Sequence, residues 1–147
     1  MPVAEVQRVA AADTYCLRAR VLRDGDSAAV RVPDDDLPGA WHLGARHSGA
    51  LVGVASFYPR PCPLATDVAA MQLRFMAVDP AMQRRGIGRQ LLNHALRELR
   101  KEKAGILWAN GRDTALDFYT GLGFTVVGAG FIHEPGLPHH LIVLSLG

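Results

Sequence analysis

The chain has 147 residues, a length that fits one domain with one hydrophobic core, and we expect residues 1–147 to form a single domain. The net charge of +2 and the lack of a long basic run argue against a dedicated nucleic-acid binder. The N-terminal residues lack the apolar core of a secretion signal, and no apolar run reaches bilayer length. The two cysteines show no metal-ligand spacing and no disulfide framework, which favours a reducing compartment. We therefore expect a cytoplasmic protein that binds neither membrane nor nucleic acid.

The chain begins with a pattern that predicts one strand and one helix. Residues 3–9 alternate loosely between apolar and polar side chains, as a short strand does. Asp13 is a good helix-capping residue, and a helix is predicted over residues 13–22. In this prediction Leu17, Val21 and Leu22 face a core, whereas Arg18, Arg20 and Arg23 face solvent.

A long loop and three strands are predicted next. Residues 24–40 are polar and rich in turn formers, and a loop of this length in a small domain is often functional. Two strands, at residues 41–47 and 50–58, are joined by Ser48-Gly49, a pair typical of a tight hairpin. A buried strand is predicted over residues 71–78.

The second half predicts two helices and three strands. The helices cover residues 86–102 and 113–122, and the strands cover residues 104–110, 124–132 and 139–146. One apolar face on the first helix is formed by Ile87, Leu91, Leu92, Ala95, Leu96 and Leu99. The order β-α-β-β-β-α-β-α-β-β indicates an α/β (α+β) domain with a mostly antiparallel central sheet and helices on its faces.

A glycine-containing turn opens the longest predicted helix. Arginines precede Gly86-Ile87-Gly88, and Arg89 follows. Helix starts expose unpaired N–H groups, glycine leaves room for a large anion, and arginine suits phosphate geometry, so the turn predicts a pyrophosphate site. A P-loop is not indicated because no Lys-Ser or Lys-Thr pair follows Gly88, and Leu91 stands where a dinucleotide fingerprint has its third glycine. The alternative is a turn with solvated arginines.

Two blocks of the sequence resemble the GNAT superfamily of acetyl-CoA-dependent N-acetyltransferases. Residues 83–88, QRRGIG, match that family's Q/R-x-x-G-x-G/A motif, and FMAVDP at 75–80 resembles its fourth strand. Residues 108–124, WANGRDTALDFYTGLGF, are similar to its second recurring block. The resemblance implies a mixed, mostly antiparallel sheet of about seven strands with three to four helices, splayed between strands 4 and 5. It also implies acetyl-CoA as co-substrate and no metal.

The resemblance further implies which residues hold the coenzyme. Met76 and Val78 are expected to meet the pantetheine arm with their backbone groups, where a bulge frees the strand from its neighbour. Asn110 is expected to contact the coenzyme, with a loop or capping role as its alternative. The pyrophosphate is expected at Gln83, Arg84, Arg85, Gly86, Ile87, Gly88 and Arg89.

Tyr119 is the candidate catalytic acid by the same resemblance. Acetyl transfer to an amine releases a thiolate, which benefits from a nearby proton donor, and a tyrosine hydroxyl is one. The alternative is a core aromatic residue with a satisfied hydroxyl.

The acceptor side is less clearly marked. Some family members carry a glutamate where this chain has Gln72, which cannot accept a proton at neutral pH. His133, Glu134, His139 and His140 lie in or beside the predicted closing hairpin, and one of the histidines could serve as a base or substrate contact, with His139 and His140 as the candidates for substrate; the alternative is that these are solvated loop histidines. Prolines interrupt their metal-like spacing.

We expect the acceptor to be a primary amine on a small molecule, because no strongly charged surface suits a peptide. The acidic run at residues 34–36 either attracts a cationic amine or forms a solvated loop. The alternatives are acetylation of a protein N-terminus or lysine, and a non-catalytic acyl-CoA-binding sensor. Dimers are common in the family, so a homodimer is an open expectation.

Overall fold

A single seven-stranded sheet organises the fold in the computed structural model, which describes residues 3–147 apart from the side chain of Ala29. Its strand order is β1-β2-β3-β4-β5-β7-β6, and every neighbouring pair is antiparallel except the parallel pair β4–β5. This confirms the predicted mixed, mostly antiparallel sheet. The strands are β1 Glu5–Val9, β2 Trp41–His47, β3 Ala50–Pro59, β4 Ala70–Val78, β5 Ile106–Arg112, β6 Thr125–His133 and β7 Leu137–Ser145.

Three α-helices pack on the sheet close to their predicted positions. Helix α1 spans Ala11–Leu17 and continues in a π-helical turn, Arg18–Leu22. Helix α2 spans Ile87–Lys101, and α3 spans Leu116–Gly121 after a short 3-10 turn. The predicted apolar face of α2 is confirmed, since all six of its residues are buried: Ile87, Leu91, Leu92, Ala95, Leu96 and Leu99. Burial of such a face stabilises a helix more than its intrinsic propensity does.

Strand β4 separates from β5 after one short stretch of pairing. The parallel ladder joins Ala70, Met71 and Gln72 to residues 106–108 and then stops, although both strands continue. On its other edge, the register of β4 against β3 shifts beside Phe75, whose φ of 55° lies in the left-handed region. A bulge of this kind bends a strand and breaks its ladder. The predicted splay between the fourth and fifth strands is confirmed.

Arg18 is fully buried, so its predicted place on the solvent side of the first helix is wrong. Its guanidinium donates to both carboxylate oxygens of Asp35 at 2.9 and 3.1 Å, to Ser56 Oγ at 2.8 Å, to the Tyr58 hydroxyl at 3.2 Å and to the Val30 carbonyl at 2.9 Å. A buried charge is tolerated when it is paired and hydrogen-bonded in this way. The loop at residues 24–40 supplies the partner carboxylate.

The buried arginine lies directly beneath the bulge of β4. Its guanidinium carbon is 4.1 Å from the centre of the Phe75 ring, a cation–π contact. Burial alone would raise the pKa of Asp35, but the hydrogen bonds from Arg18 and Tyr58 outweigh it, and the pKa lies below its ordinary value. The charged pair is therefore maintained at neutral pH and holds the loop, β3 and the bulge together.

Two of the three residues of the acidic run are paired with arginines, Asp35 in the interior and Asp34 near the surface, so neither attraction of a cationic amine nor a freely solvated loop describes them. The Asp35 side chain is only 4% exposed. Asp34 forms ion pairs with Arg60 and with Arg74, the latter at 3.3 Å. Asp36 alone is exposed.

Replacing Asp35 by asparagine should lower the free energy of unfolding by about 3 kcal/mol, because it leaves the buried Arg18 charge without a counter-charge. Urea denaturation measures the change. Asp36→Asn removes the same charge from an exposed neighbour and should stay within about 0.5 kcal/mol of the wild type. Equal unfolding midpoints for the two variants would contradict a structural role for the buried pair.

Candidate active site

The separated halves of β4 and β5 enclose a cavity of about 810 Å³. Its walls come from the second half of β4, the glycine turn, the end of β5, α3, the end of the π-helical turn and the β6–β7 hairpin. Twelve of the predicted site residues line it: Gln72, Met76, Val78, Gln83, Arg84, Gly86, Ile87, Gly88, Arg89, Asn110, Tyr119 and His139. Arg85 and His140 do not.

The glycine turn leaves the amide groups at the start of α2 open. Gly86 is the N-cap residue, its φ of 82° is left-handed, and no side chain caps the helix. A Cβ at Gly86 would meet nothing within 4 Å, so the backbone conformation and not the available space calls for glycine here. The helix start thus presents unpaired N–H groups and a partial positive charge, with Arg84 and Arg89 exposed beside it.

The second glycine of the turn has a packing role. A Cβ at Gly88 would lie 3.0 Å from the Phe118 ring, so glycine lets α3 approach the first turn of α2. The Phe118 ring then packs edge-on against Tyr119 at 5.1 Å, and Tyr119 packs edge-on against Phe124 at 5.5 Å. This aromatic cluster fixes the position of Tyr119 relative to the glycine turn.

Tyr119 lies at the cavity wall with a free hydroxyl. The residue is 7% exposed, and its hydroxyl has no hydrogen-bond partner among the described residues, yet it is absent from the fully buried unpaired atoms. Burial raises the pKa of Tyr119 to about 12, against a small opposing effect of the Arg112 charge. The hydroxyl therefore keeps its proton at neutral pH and can donate it into the cavity.

Side-chain bonds fix the segment between β4 and α2. Gln83 donates from Nε2 to the Val78 carbonyl at 3.1 Å. Asp79 accepts the Ala81 amide at 3.0 Å and the Arg20 guanidinium at 3.1 Å. The glycine turn is therefore attached to the end of β4, which lines the same cavity.

The candidate substrate residues lie in different environments. Gln72 is 6% exposed and lines the cavity where β4 and β5 separate. His139 is buried on the cavity wall, and its Nδ1 lies 2.7 Å from the Leu137 carbonyl, so Nδ1 is the donor. His140 turns the other way, with Nδ1 2.7 Å from Asp113 Oδ1.

The cavity wall also contains residues outside the predicted set of site residues. His133, a candidate base or substrate contact, lines the cavity with its ring centre 5.2 Å from that of His139. Burial lowers the pKa of His133, and the nearby charges of His139 and Arg74 lower it further, so it is neutral at neutral pH. Arg23, predicted to face solvent, instead lines the cavity and is half-buried.

Two further features of the described residues concern metals and membranes. No three histidine, cysteine, aspartate or glutamate side chains among residues 3–147 lie close enough together to hold a metal ion. Within the same part of the chain, no helix has the length and apolar character needed to cross a bilayer.

Comparison with known proteins identifies the family of the chain. The model of the acetyltransferase (GNAT) family matches residues 11–124. The chain is 32% identical over 140 residues to the uncharacterized N-acetyltransferase YitI of Bacillus subtilis (strain 168), covering 95% of this chain and 93% of that protein. It is 44% identical over 52 residues to the ribosomal protein bS18-alanine N-acetyltransferase of Escherichia coli (strain K12), covering 33% of this chain and 35% of the relative.

Solved structures show the same architecture. An aminoglycoside 6'-N-acetyltransferase complexed with coenzyme A superposes with a TM-score of 0.72 over 97% of both chains, at 14% sequence identity. That likeness concerns the fold, and the sequence relationship comes from the family model and from YitI, each of which spans most of the chain. The chain belongs to the acetyltransferase (GNAT) family.

Proposed function

We propose that this N-acetyltransferase moves the acetyl group of acetyl-CoA directly to a primary amine of a small molecule, and that residues 1–147 act as one acetyltransferase domain. One observation carries the proposal: a single cavity is lined by the open start of α2, by the bulged half of β4 and by the protonated hydroxyl of Tyr119. A diphosphate, an extended thiol arm and a leaving sulfur need these three features in one place.

The proposed position of the coenzyme is set by unpaired backbone groups of the glycine turn and of β4. The pyrophosphate lies on the amides of Gly86, Ile87 and Gly88, where unpaired N–H groups and the helix dipole favour an anion. The pantetheine arm lies along Met76 and Val78, which β5 leaves unpaired. The remaining coenzyme contacts are assigned to residues of the cavity wall, Gln83, Arg84, Arg89 and Asn110, whereas the exposed Arg85 lies outside that wall.

The transfer forms a C–N bond and breaks the C–S bond, so one proton leaves the amine nitrogen and one reaches the sulfur. Tyr119 gives its proton to the sulfur and regains one from the nitrogen. The transfer from Tyr119 to the sulfur is unfavourable by itself, because a hydroxyl with a pKa of about 12 is a weaker acid than a thiol with a pKa of about 8.5. The proton that Tyr119 regains from the nitrogen offsets this cost. Bound acetyl-CoA supplies the activated acyl group.

His133 is the residue we assign to removal of the extra proton from an incoming ammonium group, before the neutral amine attacks and passes its second proton to Tyr119. Its lowered pKa keeps the ring neutral and able to accept a proton near pH 7, whereas the Gln72 amide cannot. Gln72 and His139 contact the acceptor from the cavity wall.

A small acceptor is favoured by a side-chain contact that bridges the gap at one end of the partly open cavity. Arg112, at the end of β5, donates to the Leu22 carbonyl across the gap at 3.1 Å, and His133 and Glu134 of the β6–β7 hairpin also line this wall. A protein terminus or lysine needs an open groove at this point. The relatives named above include enzymes for both kinds of acceptor, so the likeness alone does not distinguish them.

Gly86→Ala tests the pyrophosphate site. The left-handed φ should strain an alanine by about 1–2 kcal/mol, and relaxation of the turn should raise the KM for acetyl-CoA about tenfold. Steady-state kinetics and thermal melting measure the two effects. Gly121→Ala is the matched control, because a Cβ there also meets nothing within 4 Å but φ is not left-handed. If both variants bind acetyl-CoA like the wild type, the pyrophosphate is not held by this turn.

Tyr119→Phe tests the acid. Loss of the hydroxyl should lower kcat about 100-fold or more while the Kd for acetyl-CoA stays unchanged, because only the proton donor is removed. Thiol release gives the rate and titration calorimetry gives the affinity. Tyr15→Phe removes a hydroxyl remote from the cavity, one that contacts Asp35 at 3.4 Å, and should leave kcat unchanged.

The same pair of measurements separates the enzyme from a non-catalytic sensor. A sensor would bind acetyl-CoA without releasing thiol in the wild type. Equal turnover in the wild type and in Tyr119→Phe would remove Tyr119 from the mechanism.

A further inference from the structure

Two arginine side chains converge at one end of the cavity. Arg23 follows the π-helical turn, and Arg112 ends β5, on the other side of the gap. Both donate to the same acceptor, the Leu22 carbonyl, at 3.0 and 3.1 Å. Both are half-buried and line the cavity. Two guanidinium groups are thus held next to each other at the cavity wall.

Neither guanidinium forms an ion pair with a described carboxylate. Other arginines are neutralised: Arg18 pairs with Asp35, Arg20 with Asp79 and Arg74 with Asp34. The shared carbonyl is a neutral acceptor and cannot offset two positive charges. Like charges held together in a half-buried site repel each other, unless an anion joins them.

The titratable groups around the pair leave the site cationic. Burial and then the Arg112 charge lower the pKa of Arg23, while Glu134 opposes them. Glu134 is the acidic residue of the cavity wall among the described residues, and it is exposed on the hairpin. The other groups facing this end are Arg74, His133 and His139.

We propose that the acceptor is an amine that also carries an anionic group, a carboxylate or a phosphate, and that Arg23 and Arg112 bind this group while the nitrogen faces the acyl carbon. The inference rests on the proposed function and names its substrate class. Guanidinium groups suit such anions because their parallel N–H groups match two oxygens at once. Polycationic amines are disfavoured by the same charges.

Matched acceptor pairs test the proposal. The carboxylate arm compares glycine, β-alanine and 4-aminobutyrate with their carboxamides. The phosphate arm compares phosphoethanolamine with ethanolamine. Spermidine is the polycationic acceptor in the same assay. Thiol release should give kcat/KM at least about tenfold higher for the charged member of one pair. The preferred arm tells carboxylate from phosphate.

Variants then assign the preference to the arginines. Arg23→Gln and Arg112→Gln should each raise the KM of the anionic acceptor about 10- to 100-fold, with little change for its neutral partner and none for acetyl-CoA. Arg112→Lys keeps the charge but not the planar fork and should recover part of the loss. Arg97→Gln, on the exposed face of α2, is the control and should behave like the wild type. Thermal melting verifies that each variant is folded.

Binding separates failure of this inference from failure of the proposed function. Titration of the coenzyme-A complex with each pair should show selective binding of the anionic member, and Arg23→Gln should abolish it. Selective binding without turnover keeps the inference and removes the proposed activity. Equal or better turnover of neutral amines, spermidine or peptides keeps the activity and overturns the inference. A raised KM for acetyl-CoA in the arginine variants also overturns it, because the pair would then serve the coenzyme.

Discussion

The architecture depends on the interruption of one β-ladder. The β4–β5 pair is parallel, and a continuous ladder there would close the sheet and leave no site. Pairing stops at Gln72 because β4 bulges at Phe75 and turns its remaining residues away from β5. The buried cation of Arg18 lies under the Phe75 ring and is fixed by Asp35, so an interaction on one side of β4 maintains an opening on the other.

Charges are divided between structure and cavity. Two carboxylates of the acidic loop neutralise arginines of the scaffold, Asp35 with Arg18 in the interior and Asp34 with Arg74 of β4 near the surface. The cavity wall, in contrast, contains arginines and histidines with a single exposed glutamate among the described residues. The negative charge of residues 34–36 therefore does not predict the charge of the ligand. The acidic residues stabilise the scaffold, and the cationic residues of the cavity wall face the ligand.

The sequence predicts the features that rest on local patterns. The apolar face of α2, the Ser48-Gly49 hairpin and the order of elements follow from periodicity and turn chemistry, and the family resemblance adds the splayed strands. Most of the candidate coenzyme residues chosen by this resemblance lie along one cavity, because β4 and the glycine turn are adjacent in the chain.

Features that rest on contacts distant in the chain are not predicted. Arg18 looks like a surface residue of a short amphipathic helix because its partner Asp35 lies 17 residues away in an irregular loop. Arg23 and Arg112 are 89 positions apart, and only the separation of β4 from β5 brings them to one carbonyl. The packing role of Gly88 likewise depends on where α3 places Phe118.

Amide hydrogen exchange followed by NMR, with and without coenzyme A, measures whether the open ladder is the coenzyme site. Exchange at Met76 and Val78, and at the amides of the glycine turn, should slow by about tenfold or more when the coenzyme binds, while β1 and β2 stay unchanged. Saturation with coenzyme A that leaves exchange at the bulged half of β4 unaltered, with protection on another surface, would show that the gap between β4 and β5 does not receive the thiol arm.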